Sequence, residues 1–123
     1  MRELLYEAAE HYKRGVGFAE RGDVRGAMAA YAAAMRDLHA VKPQRMRDVL
    51  LAQVHLSRYK VALSVDRDDA LEDLRLGYSY ARTTREPSVQ ELAQTLWHEH
   101  LEEKSRGQNV ELLPGSGQPK IER

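Results

Sequence analysis

A two-residue break between two helical patterns constrains the fold of this chain more than any other feature. Before it, residues 2–21 carry apolar or small side chains at steps of three and four, and residues 24–40 repeat that spacing after it. This is the spacing that lines one face of an α-helix. The break itself is Gly22-Asp23. Because glycine readily ends a helix in the left-handed conformation and aspartate caps the next one, the sequence predicts an antiparallel helical hairpin.

Proline and acidic residues divide the rest of the chain into three further helices. Pro43 can open the third helix, where its missing N–H costs nothing. Asp68 or Asp69 is expected to cap the fourth helix. Ser88 and Glu91 have the spacing of a capping box and are expected to open the fifth helix. The five predicted helices span about residues 2–21, 24–40, 44–65, 69–83 and 88–106. The chain shows no strand-like alternation, so the predicted fold class is all-α.

The helical pattern ends before the chain does. Residues 1–106 are predicted to form one helical domain, whereas residues 107–123 lose the periodicity and gain glycine and proline. Such a composition is typical of a flexible C-terminal tail. Leu112 and Leu113 add an apolar pair to it that could dock in a groove of the domain.

The balance of charge and the lack of cysteine restrict the classes of function. Nineteen basic residues match nineteen acidic ones, whereas a duplex DNA binder usually has a basic excess, so nucleic-acid binding is disfavoured. Without cysteine there are no disulfides and no thiolate chemistry. No apolar run approaches the roughly 20 residues of a membrane span. The N-terminal segment contains acidic residues, whereas a signal peptide has an uninterrupted apolar stretch. We therefore expect a cytoplasmic protein without a membrane segment.

Small residues recur on the first hairpin where two crossing helices would touch. They combine with two aromatic residues and the turn in the order Gly15, Phe18, Gly22-Asp23, Ala27, Tyr31 and Ala34. This order and spacing resemble a tetratricopeptide (TPR) repeat. A second, weaker match places Ala70, Leu74 and Gly77 at corresponding small–large–small positions of the next hairpin. The resemblance implies antiparallel helical hairpins stacked as a short TPR-like array of about five helices, in which the fifth helix is the solvating cap.

The resemblance also implies a function. TPR arrays hold a peptide or an amphipathic helix in a groove lined by the first helix of each repeat. The matching positions are Tyr12, Val16 and Ala19 in the first unit and His55, Tyr59 and Ala62 in the second. The TPR class that clamps a C-terminal carboxylate has lysine and asparagine at such positions, so Tyr12 and Val16 imply a groove for apolar side chains instead. The expected function is that of a scaffold, adaptor or small chaperone for another protein, and so short an array also allows a homodimer.

Two alternatives stay open at the level of sequence. The first three predicted helices also resemble the three-helix bundle of microtubule-interacting-and-trafficking (MIT) domains, which likewise bind peptides. The other alternative is a helical nucleic-acid-binding protein that uses a basic third helix. The basic residues of that helix are Arg45, Arg47, Arg58 and Lys60.

The polar clusters of the sequence do not form a recognisable catalytic or metal site. His98 and His100 are two positions apart, which directs them to different sides of a helix, and His98 with Glu102 would supply only two ligands. The acidic run from Asp68 to Asp73 fits the N-terminus of a helix better than a calcium loop, which needs a glycine at its sixth position. We therefore expect a non-enzymatic protein without a metal or another cofactor.

Overall fold

The computed structural model describes residues 2–112, and the side chains of residues 2–66 and 68–106. This part of the chain is all-α and contains no strand, which confirms the predicted fold class. The helices are α1 (Arg2–Glu20), α2 (Val24–His39), α3 (Arg45–Ala62), α4 (Arg67–Thr84) and α5 (Pro87–Leu112). The first four lie within about three residues of the predicted segments at each end, because glycine, proline and capping residues separate them in the sequence. The helix α5 begins at Pro87, so the predicted cap Ser88 lies inside its first turn, and the helix continues six residues beyond the predicted end.

The chain divides into two compact units, and the boundary between them follows Ala93, within α5. The first unit contains α1 to α4 and the first turns of α5, in which Val89 and Ala93 are buried. The predicted boundary between domain and tail, at residue 106, falls inside α5, because this helix continues to Leu112. Residues 113–123 of the predicted tail lie outside the described part of the chain.

The turn between α1 and α2 forms as the sequence predicts. Gly22 has a φ of +79°, in the left-handed region that favours glycine. The Gly22 N–H donates to the Ala19 carbonyl at 3.0 Å and the Asp23 N–H donates to the Phe18 carbonyl at 2.9 Å, the pair of bonds of a Schellman motif. Asp23 then caps α2 by accepting from the Gly26 N–H at 2.9 Å. The turn therefore satisfies backbone groups at both helix ends and returns α2 along α1.

Close approach between α1 and α2 depends on Gly15 and Tyr31. A Cβ added at Gly15 would lie 2.6 Å from Cδ1 of the Tyr31 ring, which is closer than real carbon atoms approach. The exposed fraction of Tyr31 is 1%, so its ring has no solvent to move into. Ala27 and Ala34 are fully buried on the same helix. The small residues of the repeat pattern therefore stand where the backbones pack.

We expect alanine substitutions at two glycines of α1 to have effects of opposite sign. Gly15→Ala should lower the free energy of unfolding by about 1–2 kcal/mol, because overpacking against Tyr31 outweighs the gain in helix propensity. Gly17→Ala should raise it by about 0.5–1 kcal/mol, because the added Cβ would meet only the Arg21 guanidinium at an ordinary 3.6 Å. Urea denaturation of both variants measures this difference. Equal effects of the two substitutions would contradict the proposed contact between Gly15 and Tyr31.

The helix α3 is the central helix of the first unit. It packs along α4 as the second hairpin and also contacts α2 and α1. Leu51, Val54 and Leu56 of α3 are fully buried, as expected for a helix whose apolar residues go nearly all the way round. On α4, Gly77 admits Leu56, since a Cβ there would lie 2.7 Å from Cγ of that leucine. Like the first hairpin, the second packs a large side chain against a glycine.

The start of α4 differs from the prediction. Asp66 is the capping residue, and its Oδ1 accepts from the backbone N–H groups of Asp68 and Asp69 at 2.9 and 3.2 Å. The predicted caps, Asp68 and Asp69, lie in the first turn instead. There their carboxylates face the partial positive charge of the helix N-terminus. Several aspartates in succession can each cap a helix, so the sequence alone does not fix the first residue of α4.

Candidate partner-binding groove

An open groove lies between α1 and α3, above α2. Its volume is about 230 Å³. The residues that line it are Val16, Ala19, Glu20, Tyr31, Ser57, Lys60 and Val61. The α1 and α3 residues come from the last turns of their helices, so the groove opens where both helices end. Its walls are mostly apolar, and its charged groups are confined to Glu20 and Lys60, both of which are exposed.

The floor of the groove is an aromatic and hydroxyl cluster. The Tyr12 and Tyr31 rings are tilted with their centroids 6.0 Å apart. The Tyr12 hydroxyl and the Ser57 hydroxyl are hydrogen-bonded at 3.0 Å, which ties α1 to α3. Burial raises the pKa of Tyr31 from its ordinary value of 10 to about 12, although a hydrogen bond with Ser57 acts in the opposite direction. Tyr31 thus belongs both to the buried core and to the lining of the groove.

Alkaline pH should destabilise the protein through Tyr31. Its folded-state pKa is raised to about 12, so its stabilising contribution is complete below about pH 10 and is lost between about pH 10 and 12. The loss should amount to about 2–3 kcal/mol. Urea denaturation of the wild-type chain and of Tyr31→Phe checks this, because the other tyrosines and the lysines titrate in both proteins. The stability difference between them should change across this pH range; a constant difference would contradict a perturbed Tyr31.

The structure places half of the predicted groove residues in or beside the groove. Val16 and Ala19 line it, and Tyr12 borders it through the hydrogen bond to Ser57.

The residues predicted on α3 lie elsewhere. His55, Tyr59 and Ala62 are buried, with exposed fractions of 4%, 4% and 2%, and they are not among the residues that line the groove. Ser57, Lys60 and Val61 are the α3 residues that do. The apolar residues of α3 surround the helix, so hydrophobicity alone does not indicate which of its sides faces α1.

The residues predicted to pack the repeats are placed at helix contacts. Those with buried side chains or backbones are Gly15, Ala27, Tyr31, Ala34, Ala70, Leu74 and Gly77. Phe18 is half-buried and packs against the core, and Gly22 forms the turn. Sequence reasoning missed Gly26, where a Cβ would lie 2.8 Å from Cδ1 of the Phe18 ring. The available signal was the position of Gly26 in the first turn of α2, next to the small residue Ala27.

A buried polar cluster joins α3 to α4, and sequence reasoning missed it. Asp73 is 2% exposed and accepts hydrogen bonds from His55 Nδ1 and Arg58 Nε, each at 2.9 Å. The His55 ring stacks on Tyr80 with a centroid distance of 5.9 Å. Burial alone would raise the pKa of Asp73, but the hydrogen bonds from His55 and Arg58 outweigh it and hold this pKa below its ordinary range. The signal available in the sequence was the position of Asp73 on the buried stripe of α4 beside Leu74.

This cluster, His55, Arg58 and Asp73, resembles in composition the histidine–aspartate pairs that orient a catalytic base. Its burial argues for a different role. A base must come within hydrogen-bond reach of a substrate proton, whereas His55 and Asp73 are both almost completely buried between two packed helices. The hydrogen bonds from His55 and Arg58 to Asp73 therefore hold α4 against α3.

Three of the four basic residues predicted on α3 are engaged in contacts within the chain. Arg45 donates to the Thr84 carbonyl at 2.9 Å and bonds to Glu86 at 3.2 Å. Arg47 bonds to the Val41 carbonyl and to Asp48, each at 3.1 Å, and Arg58 bonds to Asp73. Lys60 lines the groove. Arg45, Arg47 and Arg58 each bond to a carboxylate, and these contacts give the nucleic-acid alternative no support.

The described residues offer no obvious metal site or membrane span. Among their side chains, no group of three or more histidine, aspartate or glutamate residues could hold a metal ion. His98 is exposed, and the His100 ring lies 5.8 Å from the ring of Trp97. Within the same part of the chain, none of the helices combines the length and the apolar character needed to cross a membrane.

Comparisons of this chain with protein-family models, with curated proteins and with solved structures give no match.

Proposed function

We propose that this chain is a non-catalytic protein-interaction module, a scaffold, adaptor or small chaperone that holds a peptide or an amphipathic helix of a partner protein. The observation that carries the proposal is the groove between α1 and α3. Its apolar walls can bury a partner's side chain, and its charged rim can orient the partner. A cytoplasmic setting fits a chain without cysteine.

The size of the groove supports a peptide ligand over a small molecule. Pockets that enclose drug-sized ligands or cofactors usually measure about 300–1,000 Å³. At about 230 Å³ this groove is smaller and open, which suits one large side chain presented by a helix. The lining residues contribute one carboxylate, one ammonium and hydroxyl groups, without a base in contact with a nucleophile. These groups suit recognition rather than covalent chemistry.

The packing of the helices supports a TPR-like array as the scaffold. Gly15 admits Tyr31 in the first hairpin and Gly77 admits Leu56 in the second. The helix α3 contacts both α1 and α2, as the first helix of a following repeat would. An MIT-like bundle would instead end with the third helix. Here α4 packs along α3 as closely as α2 packs along α1, so we favour the array.

Selection of helical peptides displayed on phage, with the full chain as bait, tests the proposal. We expect enrichment of amphipathic sequences, and we expect the selected peptides to shift the amide signals of Val16, Ser57 and Val61 in NMR spectra. Ala19→Trp should fill the groove and weaken binding about tenfold or more. Ala29→Trp, at an exposed position of α2, is the matched control and should leave the affinity unchanged.

Two outcomes would contradict the proposed function. One is that no peptide is enriched over a control bait. The other is that the selected peptides bind Ala19→Trp and the wild-type chain equally well. Circular dichroism and thermal denaturation of each variant show whether a loss of binding comes from the groove or from unfolding, and the NMR shifts on the wild-type chain do not depend on any substitution.

A further inference from the structure

The two walls of the groove carry opposite charges at the rim. Glu20 is the last residue of α1, and Lys60 lies in the last turn of α3. Both are exposed and both line the groove. The apolar side chains of Val16, Ala19 and Val61 lie on the same surface. A ligand in the groove therefore meets a carboxylate on one wall and an ammonium group on the other.

Resting on the function proposed above, we propose that the partner segment is an amphipathic helix with one large apolar anchor, an acidic flank and a basic flank. On a helix, residues i−3 and i+4 lie on one side of an anchor at position i, and residues i−4 and i+3 lie on the other. With the anchor in the groove, the acidic flank faces Lys60 and the basic flank faces Glu20. The two pairs set the direction in which the helix lies.

The charges on the rim contribute selectivity more than affinity. An exposed ion pair changes a dissociation constant by about two- to fivefold, so both pairs together should give about tenfold discrimination between charge patterns. The discrimination should shrink at high ionic strength, because exposed charges are screened within about 10 Å at 0.1 M salt. Contacts of the anchor with the apolar walls depend little on salt, which separates the two contributions.

Three synthetic peptides with the same leucine anchor test the inference. One has an acidic and a basic flank, one has two acidic flanks and one has two basic flanks. The wild-type chain should bind the mixed peptide about tenfold better than the other two. Lys60→Glu makes both walls acidic and should transfer the preference to the basic peptide, whereas Glu20→Lys should transfer it to the acidic peptide. Lys13→Glu, at an exposed position of α1, is the charge-matched control and should leave the order unchanged.

The outcomes separate this inference from the function on which it rests. Equal binding of all three peptides, unaltered by the two charge reversals, would overturn the charge assignment and leave the peptide-binding function intact. Failure of all three to bind, together with an empty phage selection, would overturn both. Two other occupants would also overturn it: a second copy, if the wild-type chain sediments as a dimer that Ala19→Trp dissociates, or the chain's own C-terminal segment, if a peptide of residues 107–123 displaces the mixed peptide.

Discussion

Replacing Asp73 with alanine should lower the free energy of unfolding by about 3 kcal/mol. Removing one partner of a buried ion pair costs about 3–5 kcal/mol because the remaining charge is left without compensation. The lower end of that range applies here, since the side chain of Arg58 is 28% exposed and can regain contact with water. His55 is only 5% exposed at its side chain and loses its hydrogen-bond acceptor. Urea denaturation at neutral pH measures the change.

A neighbouring substitution and the pH dependence make this expectation specific. Glu72→Ala removes an exposed carboxylate paired with exposed Arg75, and should change stability by about 0.5 kcal/mol or less. Because the folded-state pKa of Asp73 is lowered, its contribution is present above about pH 4 and is lost as the pH falls through the folded-state pKa. The difference between wild type and Asp73→Ala should therefore shrink in acid. Similar losses in Asp73→Ala and Glu72→Ala would show that the buried cluster does not stabilise the α3–α4 hairpin.

Replacing Leu56 with alanine should also cost about 3 kcal/mol. Leu56 is fully buried, and truncating a buried leucine typically costs about 2–5 kcal/mol through lost burial and the cavity that remains. Leu76 is 37% exposed on α4, so Leu76→Ala is a suitable control with an expected cost below about 1 kcal/mol. Thermal and urea denaturation of both variants test the difference.

A second substitution should partly restore the stability that Leu56→Ala removes. Alone, Gly77→Ala should destabilise the protein by about 1–2 kcal/mol, because its Cβ would overlap the Leu56 side chain. In the double variant the new methyl group enters the space that leucine has left. We expect a coupling of about 0.5–3 kcal/mol between the two positions. Strictly additive losses would mean that Leu56 and Gly77 do not pack against each other.

The sequence predicted the first hairpin well because several independent signals agree there. Gly22 and Asp23 mark the turn, and Gly15 stands opposite Tyr31 where only a small residue fits. The start of α4 was less predictable, because Asp66 competes with two nearby aspartates that are equally good caps. Turn and capping residues in the sequence thus predicted where the helices lie more reliably than they predicted the first residue of each helix.

The candidate site was predictable on α1 and not on α3. On α1 one face alone is apolar, so Val16 and Ala19 could be assigned to the groove. On α3 apolar residues surround the helix, and the choice between His55 and Ser57 depends on how two other helices pack against it. Asp73 shows the same difficulty: a carboxylate is usually solvated, and only the tertiary contact with His55 and Arg58 explains its burial.

The position of Tyr31 restricts how this protein can change its partner during evolution. The same ring closes the crossing of α1 and α2 against Gly15 and forms the floor of the groove. Substitutions that deepen or reshape the floor therefore weaken folding and are selected against, whatever they do to recognition. Glu20 and Lys60 at the rim are exposed, do not pack in the core, and are under no such double requirement. New binding specificities should arise through these positions, while Tyr31 and Gly15 stay fixed among descendants.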